Sequence, residues 1–157
     1  MQARRTETEA LRASFPLAPL KARRQEFGLD DLHDVRALVA ATATAAGLPP
    51  RRTDDLLAAA SELAANSILH GGGRGLVSVW GEDGEVFVEV ADAGTITDPN
   101  VGRVRPDPSA ESGRGLYIAN HLCDEVAIDS TSTGTRIRLR MALGRRAGHQ
   151  GPGSQGP

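Results

Sequence analysis

Two polar residues of one predicted helix have the types and spacing that acid–base and cation chemistry require. Glu62 and Asn66 lie four residues apart, so on an α-helix they point in the same direction. A carboxylate can take a proton from a hydroxyl or a water, and a carboxamide oxygen can bind a hard cation such as Mg²⁺. Taken alone, the pair is also typical of a solvated helix face. His70 is interpreted as a C-terminal helix residue that interacts with the helix dipole.

Two glycine-containing segments further along the chain could hold a planar base and an anion. Asp92 ends a strand-like run, and Gly94 follows two residues later. The carboxylate can accept a hydrogen bond from an exocyclic amine, and the glycine lets a flat ring approach the backbone. Gly113 and Gly115 lie at the start of a predicted helix. The backbone N–H groups and the helix dipole at a helix N-terminus favour binding of phosphate. Each segment alone is weak evidence, since an ordinary turn has the same residues.

The elements that must position these residues alternate between helices and hairpins. Asp30 is the predicted N-cap of a first helix that stops at Gly47, and Pro49-Pro50 opens a second helix. The predicted helices are 30–47, 51–69 and 113–122, and Gly71-Gly72-Gly73 ends the second. The predicted strands are 24–27, 76–80, 85–91, 126–129 and 135–141, with hairpin turns at Asp83-Gly84 and Thr133-Gly134. A loop containing three prolines lies before the third helix.

This order predicts an α/β two-layer sandwich with a mixed or antiparallel sheet and helices on one face. The last strand shows the alternation that such a sheet requires. Its apolar and basic residues face opposite sides, the apolar set being Ile137, Leu139 and Met141 and the basic set Arg136, Arg138 and Arg140. The pattern does not resemble a doubly wound parallel sheet.

Length and composition predict one folded domain. The chain has 157 residues, of which 39% are hydrophobic and 24% charged, so it can build a core. We predict a folded unit over residues 23–143, a flexible or partly docked segment over 1–22, and a disordered tail over 144–157. No apolar run is long enough to span a membrane, and no signal peptide is evident, which favours a cytoplasmic protein. The single cysteine, Cys123, is interpreted as a packed structural residue.

The charge distribution argues against direct DNA binding. The net charge is −2, but both ends of the chain are basic, so the central part is acidic. An acidic body does not attract nucleic acid. The only lysine, Lys21, is not preceded by the glycines of a phosphate-binding Walker A loop.

Taken together and in order, these segments resemble the nucleotide-binding boxes of the GHKL (Bergerat-fold) ATPases. Residues 62–71, Glu-Leu-Ala-Ala-Asn-Ser-Ile-Leu-His-Gly, are similar to the N-box of the bacterial anti-sigma factor/serine-protein kinase group typified by RsbW and SpoIIAB. Asp92-Ala93-Gly94 resembles the G1 box, the proline-containing loop resembles the ATP lid, and Gly113-Arg114-Gly115 resembles the G2 box. The resemblance covers about residues 24–141.

The resemblance implies ATP and Mg²⁺ as ligands and a role for each matching residue. Glu62 would be the general base, Asn66 would bind the Mg²⁺ that bridges the phosphates, and Asp92 with Gly94 would hold adenine. Thr135 would help to hold adenine, directly or through water. The backbone that would cradle phosphate is that of Gly113, Arg114, Gly115 and Leu116. Arg103, Arg105 and Arg114 either meet the γ-phosphate or are solvated surface charges.

The same resemblance implies an anti-sigma factor that is also a serine-protein kinase. It would sequester an alternative sigma factor, phosphorylate a STAS-type antagonist, and form a homodimer. Ile96 stands where the family usually has a second glycine, so the lid is expected to be less mobile than in active kinases. Two alternatives therefore stay open: a nucleotide-gated binding module without kinase activity, and a detached histidine-kinase catalytic domain.

Overall fold

In the part of the chain that the structure describes, five antiparallel strands form one sheet, and three helices pack along one of its faces. The structure, a computed structural model, describes residues 16–96 and 114–144. The strands are β1 (Arg23–Phe27), β2 (Gly75–Glu82), β3 (Glu85–Asp92), β4 (Glu125–Thr131) and β5 (Gly134–Ala142). The helices are α1 (Leu32–Ala46), α2 (Pro50–His70) and α3 (Arg114–Leu122). The predicted two-layer α/β architecture is confirmed.

The strand order is β1-β2-β3-β5-β4, and all four neighbouring pairs are antiparallel. The first hairpin turns where it was predicted, because Asp83 (φ 50°) and Gly84 (φ 76°) both adopt the positive φ that a tight two-residue turn requires. The second hairpin turns one residue earlier than predicted. Thr131 pairs with Gly134, so Ser132 and Thr133 form the turn.

The start of the first helix differs from the prediction. A 3₁₀ turn over Leu29–Asp31 precedes α1, so Asp30 lies inside this turn and is not an N-cap. Asp31 occupies the N-cap position of α1 but makes no capping hydrogen bond to that helix. Its Oδ2 accepts the Gly28 N–H at 2.8 Å and so caps the 3₁₀ turn.

The long helix α2 begins and ends at the predicted signals. Pro50 is its first residue, where the missing N–H costs no helical hydrogen bond. The Gly71 N–H bonds the Ser67 carbonyl at 2.8 Å and closes the last turn. Gly72 and Gly73 follow with φ of 93° and 82°, which residues with a Cβ rarely adopt, and the chain turns there into β2.

The core lies between the sheet and the helices. Side chains alternate along each strand, and the helix-facing set is fully buried: Val77, Val79, Val86, Val88, Leu139 and Met141. The opposite face holds Trp80 stacked on Phe87, with ring centroids 5.2 Å apart. The Arg138 guanidinium lies 4.9 Å from the Trp80 ring centroid and bonds Glu89. Within the described part of the chain, no helix is long and apolar enough to cross a bilayer.

Candidate functional site

Helix α2 places Glu62 and Asn66 on one side, opposite the first turn of α3. Leu63 and Ala64 are buried in the core, whereas Glu62 and Asn66 are half-buried. A Cβ on Gly115 would lie 2.9 Å from Asn66 Nδ2 and 3.2 Å from Glu62 Oε2. The backbone at the start of α3 therefore approaches both polar side chains as closely as a glycine allows. The first N–H groups of a helix have no intrahelical partner, and here they lie beside a carboxylate and a carboxamide.

The carboxylate of Asp92, at the end of β3, is held by two donors. Its Oδ2 accepts a hydrogen bond from Ser67 Oγ at 2.6 Å, and its Oδ1 accepts the Gly94 N–H at 2.8 Å. Ser67 is 1% exposed, so its hydroxyl is committed to this contact. Each carboxylate oxygen keeps a further lone pair. Asp92 can therefore accept a hydrogen bond from a ligand without losing its orientation.

Two glycines bring the end of α2 against Asp92. A Cβ on Gly71 would lie 2.3 Å from Asp92 Cγ, and a Cβ on Gly94 would lie 2.8 Å from the His70 carbonyl oxygen. The Ala93 N–H also points to the Gly71 carbonyl, at 3.4 Å. The helix that carries Glu62 and the turn that carries Asp92 are thus in direct backbone contact.

Thr135 lies beside Asp92 and has two hydroxyl contacts. The two residues are direct partners in the β3–β5 register. Thr135 Oγ1 donates to the Gly94 carbonyl at 2.7 Å and lies 2.7 Å from Ser130 Oγ. Ser130 Oγ in turn accepts the Ile96 N–H at 2.7 Å. Asp92, Gly94 and Thr135, to which the resemblance assigns adenine, therefore lie together in the structure.

Sequence reasoning assigned no role in the site to three residues that complete this arrangement: Ser67, Gly71 and Ser130. A signal existed for two of them. Ser67 is a hydroxyl at a core-facing position of α2, three residues after Ala64, and Ser130 continues the alternation of Val126 and Ile128 on β4. A polar side chain on an apolar face needs a partner. The partners themselves come from other elements and are visible only in the fold.

Part of the predicted phosphate cradle lies outside the described residues. This applies to Gly113, to the side chain of Arg114, and to Arg103 and Arg105 in the preceding loop. Leu116 is 3% exposed and its side chain packs in the core, so only its backbone N–H could meet an anion. The predicted roles of these residues stay predictions.

A cavity of about 470 Å³ borders the same end of the sheet but lies mainly on its outer face. Its lining includes Ala91, Asp129 and Arg136, which alternate with the helix-facing residues of their strands. Arg136 and Asp129 form an ion pair there at 2.9 Å. Asp92 and Thr135 also line this cavity, so it reaches the residues predicted to hold the base.

The described residues of α2, the start of α3 and the turn after β3 fit a purine nucleotide. One end offers the carboxylate of Asp92 flanked by glycines, which suits an amine-bearing base. The other end offers Glu62 and Asn66 beside a helix N-terminus, which suits phosphates and an oxygen-bound cation.

Comparison with known proteins agrees with this geometry. Residues 26–141 match the model of the histidine kinase-like ATPase domain, and the chain belongs to this family of ATP-binding domains. Among proteins of curated function, none matches the sequence.

Two solved structures are similar in fold. One contains the RsbU and RsbW domains of Rv1364c from Mycobacterium tuberculosis, with 22% identity and a TM-score of 0.57 over 80% of this chain and 34% of that chain. The other is the SiaB–SiaC complex from Pseudomonas aeruginosa, with 14% identity and a TM-score of 0.57 over 88% of this chain and 99% of that chain. The chain thus spans about a third of the Rv1364c structure. At these identities the likeness shows the fold.

Proposed function

We propose that the chain is an ATP-dependent serine-protein kinase that acts as an anti-sigma factor. It would bind Mg-ATP, transfer the γ-phosphoryl group to a serine of a STAS-type antagonist, and sequester an alternative sigma factor when the antagonist is phosphorylated. The observation that carries this proposal is the joint position of Glu62 and Asn66 against Gly115, with Asp92 bonded to Ser67, the next residue of the same helix.

The chemistry assigned to these residues is proton removal and orientation. Glu62 would accept the proton of the serine hydroxyl as the hydroxyl oxygen bonds to the γ-phosphorus and the bond from phosphorus to the β–γ bridging oxygen breaks. Asn66 would hold Mg²⁺, which when bound neutralises phosphate charge. Asp92 would fix the base of ATP, so that the γ-phosphate is held at one position relative to Glu62.

Partner binding is supported by the fold comparison. One of the two similar structures contains an RsbW domain, and the other is a complex of SiaB with SiaC. We therefore propose that this chain acts on, and assembles with, protein partners. Homodimer formation belongs to the same proposal.

The test is phosphotransfer from Mg-ATP labelled at the γ-phosphate to a purified STAS-type antagonist from the same genome. We expect acid-stable label on a serine, and loss of label with Glu62→Gln while ATP binding is kept. Glu26→Gln, on an exposed part of β1, is the matched control and should label normally. Bound ATP without a labelled antagonist would contradict the kinase proposal, and acid-labile label would point to the histidine-kinase alternative.

One observation favours a second candidate, a nucleotide-gated binding module without catalysis. Ile96 packs against the core, and its N–H is bonded to Ser130, so this position is anchored where the family usually has glycine. In that case Glu62→Ala would leave regulation of the sigma factor unchanged. Loss of regulation in a folded, ATP-binding Glu62→Ala variant would contradict it.

A further inference from the structure

Three polar side chains form a row across the helix-facing side of the sheet, one on each of three adjacent strands. Asp92 of β3 pairs with Thr135 of β5, and Thr135 pairs with Ser130 of β4. The row continues the apolar layer of Val90, Ile137 and the partly buried Ile128, each two residues away along its strand. Ser130 is not among the residues that any motif of the sequence singles out.

The hydrogen bonds in this row have a fixed direction. Thr135 has one hydroxyl proton, and Thr135 Oγ1 donates it to the Gly94 carbonyl at 2.7 Å. The 2.7 Å contact between Ser130 Oγ and Thr135 Oγ1 must then be donated by Ser130. Ser130 in turn accepts the Ile96 N–H at 2.7 Å. The proton of each hydroxyl is therefore committed within the protein.

This direction determines what Thr135 can offer to a ligand. Its oxygen has two lone pairs, and Ser130 uses one of them, so one acceptor site and no proton are left. The Asp92 carboxylate beside it also accepts only. The purine end of the site therefore presents acceptors, which match an exocyclic amine and repel an exocyclic oxygen.

We propose that Ser130 is a specificity-determining residue of the nucleotide site. Ser130 acts through Thr135. By donating a hydrogen bond to the Thr135 hydroxyl oxygen, it keeps the Thr135 hydroxyl proton directed at the Gly94 carbonyl oxygen. The site then favours a 6-amino purine over a 6-oxo purine. This inference rests on the proposed function, namely that the base of ATP lies against Asp92 and Thr135. Without the Ser130 hydroxyl, Thr135 could rotate and donate its proton to a 6-oxo group.

The test compares the Kd of ATP with that of inosine triphosphate, which carries an oxygen in place of the amine. Ser130→Thr and Ser130→Val have nearly the same shape and differ in the hydroxyl, so both should pack alike in β4. We expect Ser130→Thr to keep the wild-type ratio of the two Kd values and Ser130→Val to reduce it about tenfold, as for the loss of one oriented hydrogen bond. Ser132→Ala, in the exposed turn after β4, is the control and should keep the ratio.

The ratio of the two Kd values separates a specificity role of Ser130 from a structural one, because general loosening of the site weakens the binding of both nucleotides equally. An unchanged ratio in Ser130→Val, whatever the change in each Kd, would overturn the inference. Absence of ATP binding in the wild-type protein would instead overturn the proposed function on which the inference rests. Thermal unfolding of both variants confirms that the comparison is made on folded protein.

Discussion

Ser67 Oγ donates a 2.6 Å hydrogen bond to Asp92 Oδ2, and this contact joins helix α2 to the residue that we propose binds the base. Ser67 directly follows Asn66 on α2, so one helix carries the amide proposed to bind the cation, the proposed proton acceptor Glu62, and the donor to Asp92. Because α2 is a rigid element of 21 residues, the two ends of the site keep a fixed separation.

The first prediction concerns this contact. Ser67→Ala removes a donor to a charged acceptor, an interaction worth about 1.5–3 kcal/mol, and leaves Asp92 held by the Gly94 N–H alone. We expect the Kd for ATP to rise about tenfold with little change in fold, measured by calorimetry. Ser78→Ala, which alters a buried serine on β2, should bind ATP normally. Equal affinities in the two variants would show that Ser67 does not orient Asp92.

The second prediction concerns the close approach of α3 to α2. Gly115→Ala adds a Cβ within 2.9 Å of Asn66 Nδ2 and 3.3 Å of Glu62 Cβ, so the helices or the polar side chains must shift. We expect phosphotransfer to fall about a hundredfold, since small displacements of catalytic groups have effects of this size. Stability should change little, because alanine is the better helix former. Gly144→Ala, with nothing within 4 Å, is the control, and similar activity in both variants would contradict the assignment.

The third prediction concerns Cys123 at the end of α3. Burial first, and the neighbouring Asp124 and Asp55 next, raise the pKa of its thiol from 9.0 to about 12. The folded state therefore holds the proton more tightly than the unfolded state. The stabilisation is complete below about pH 9 and is lost as the pH rises from 9.0 through about 12.

Urea unfolding at several pH values tests whether the free energy of unfolding falls as the pH rises. The free energy of unfolding of the wild-type protein, compared with that of Cys123→Ala, should fall steadily above pH 9, where the unfolded thiol ionises first. At neutral pH the native thiol should react with iodoacetamide far more slowly than the thiol in urea. A difference between the two proteins that does not depend on pH would contradict the buried, protonated state of Cys123.

Local sequence patterns were sufficient to predict the helices and strands and the order of the candidate site residues along the chain. The i, i+4 spacing of Glu62 and Asn66, the Asp83-Gly84 turn and the alternation along β5 each depend on residues close in sequence, so the two-layer fold followed from them. Particular contacts between elements could not be predicted. Ser67 meets Asp92, 25 residues away, only because α2 packs on the sheet. Ser130 pairs with Thr135 because the hairpin turns one residue earlier than predicted, and the Asp31 bond to Gly28 depends on a 3₁₀ turn that has no separate signal.

The most direct measurement of the central claim is the calorimetric Kd of Mg-ATP for the wild-type protein and for Asp92→Asn. Binding of the base at Asp92 predicts that the wild-type protein binds ATP and that Asp92→Asn binds it about a hundredfold more weakly or not at all, because the amide presents a donor where an acceptor is needed. Asp83→Asn, in the exposed turn between β2 and β3 where asparagine tolerates the positive φ, should bind like the wild type. Undiminished affinity in Asp92→Asn, or a wild-type protein that does not bind ATP, would contradict the claim.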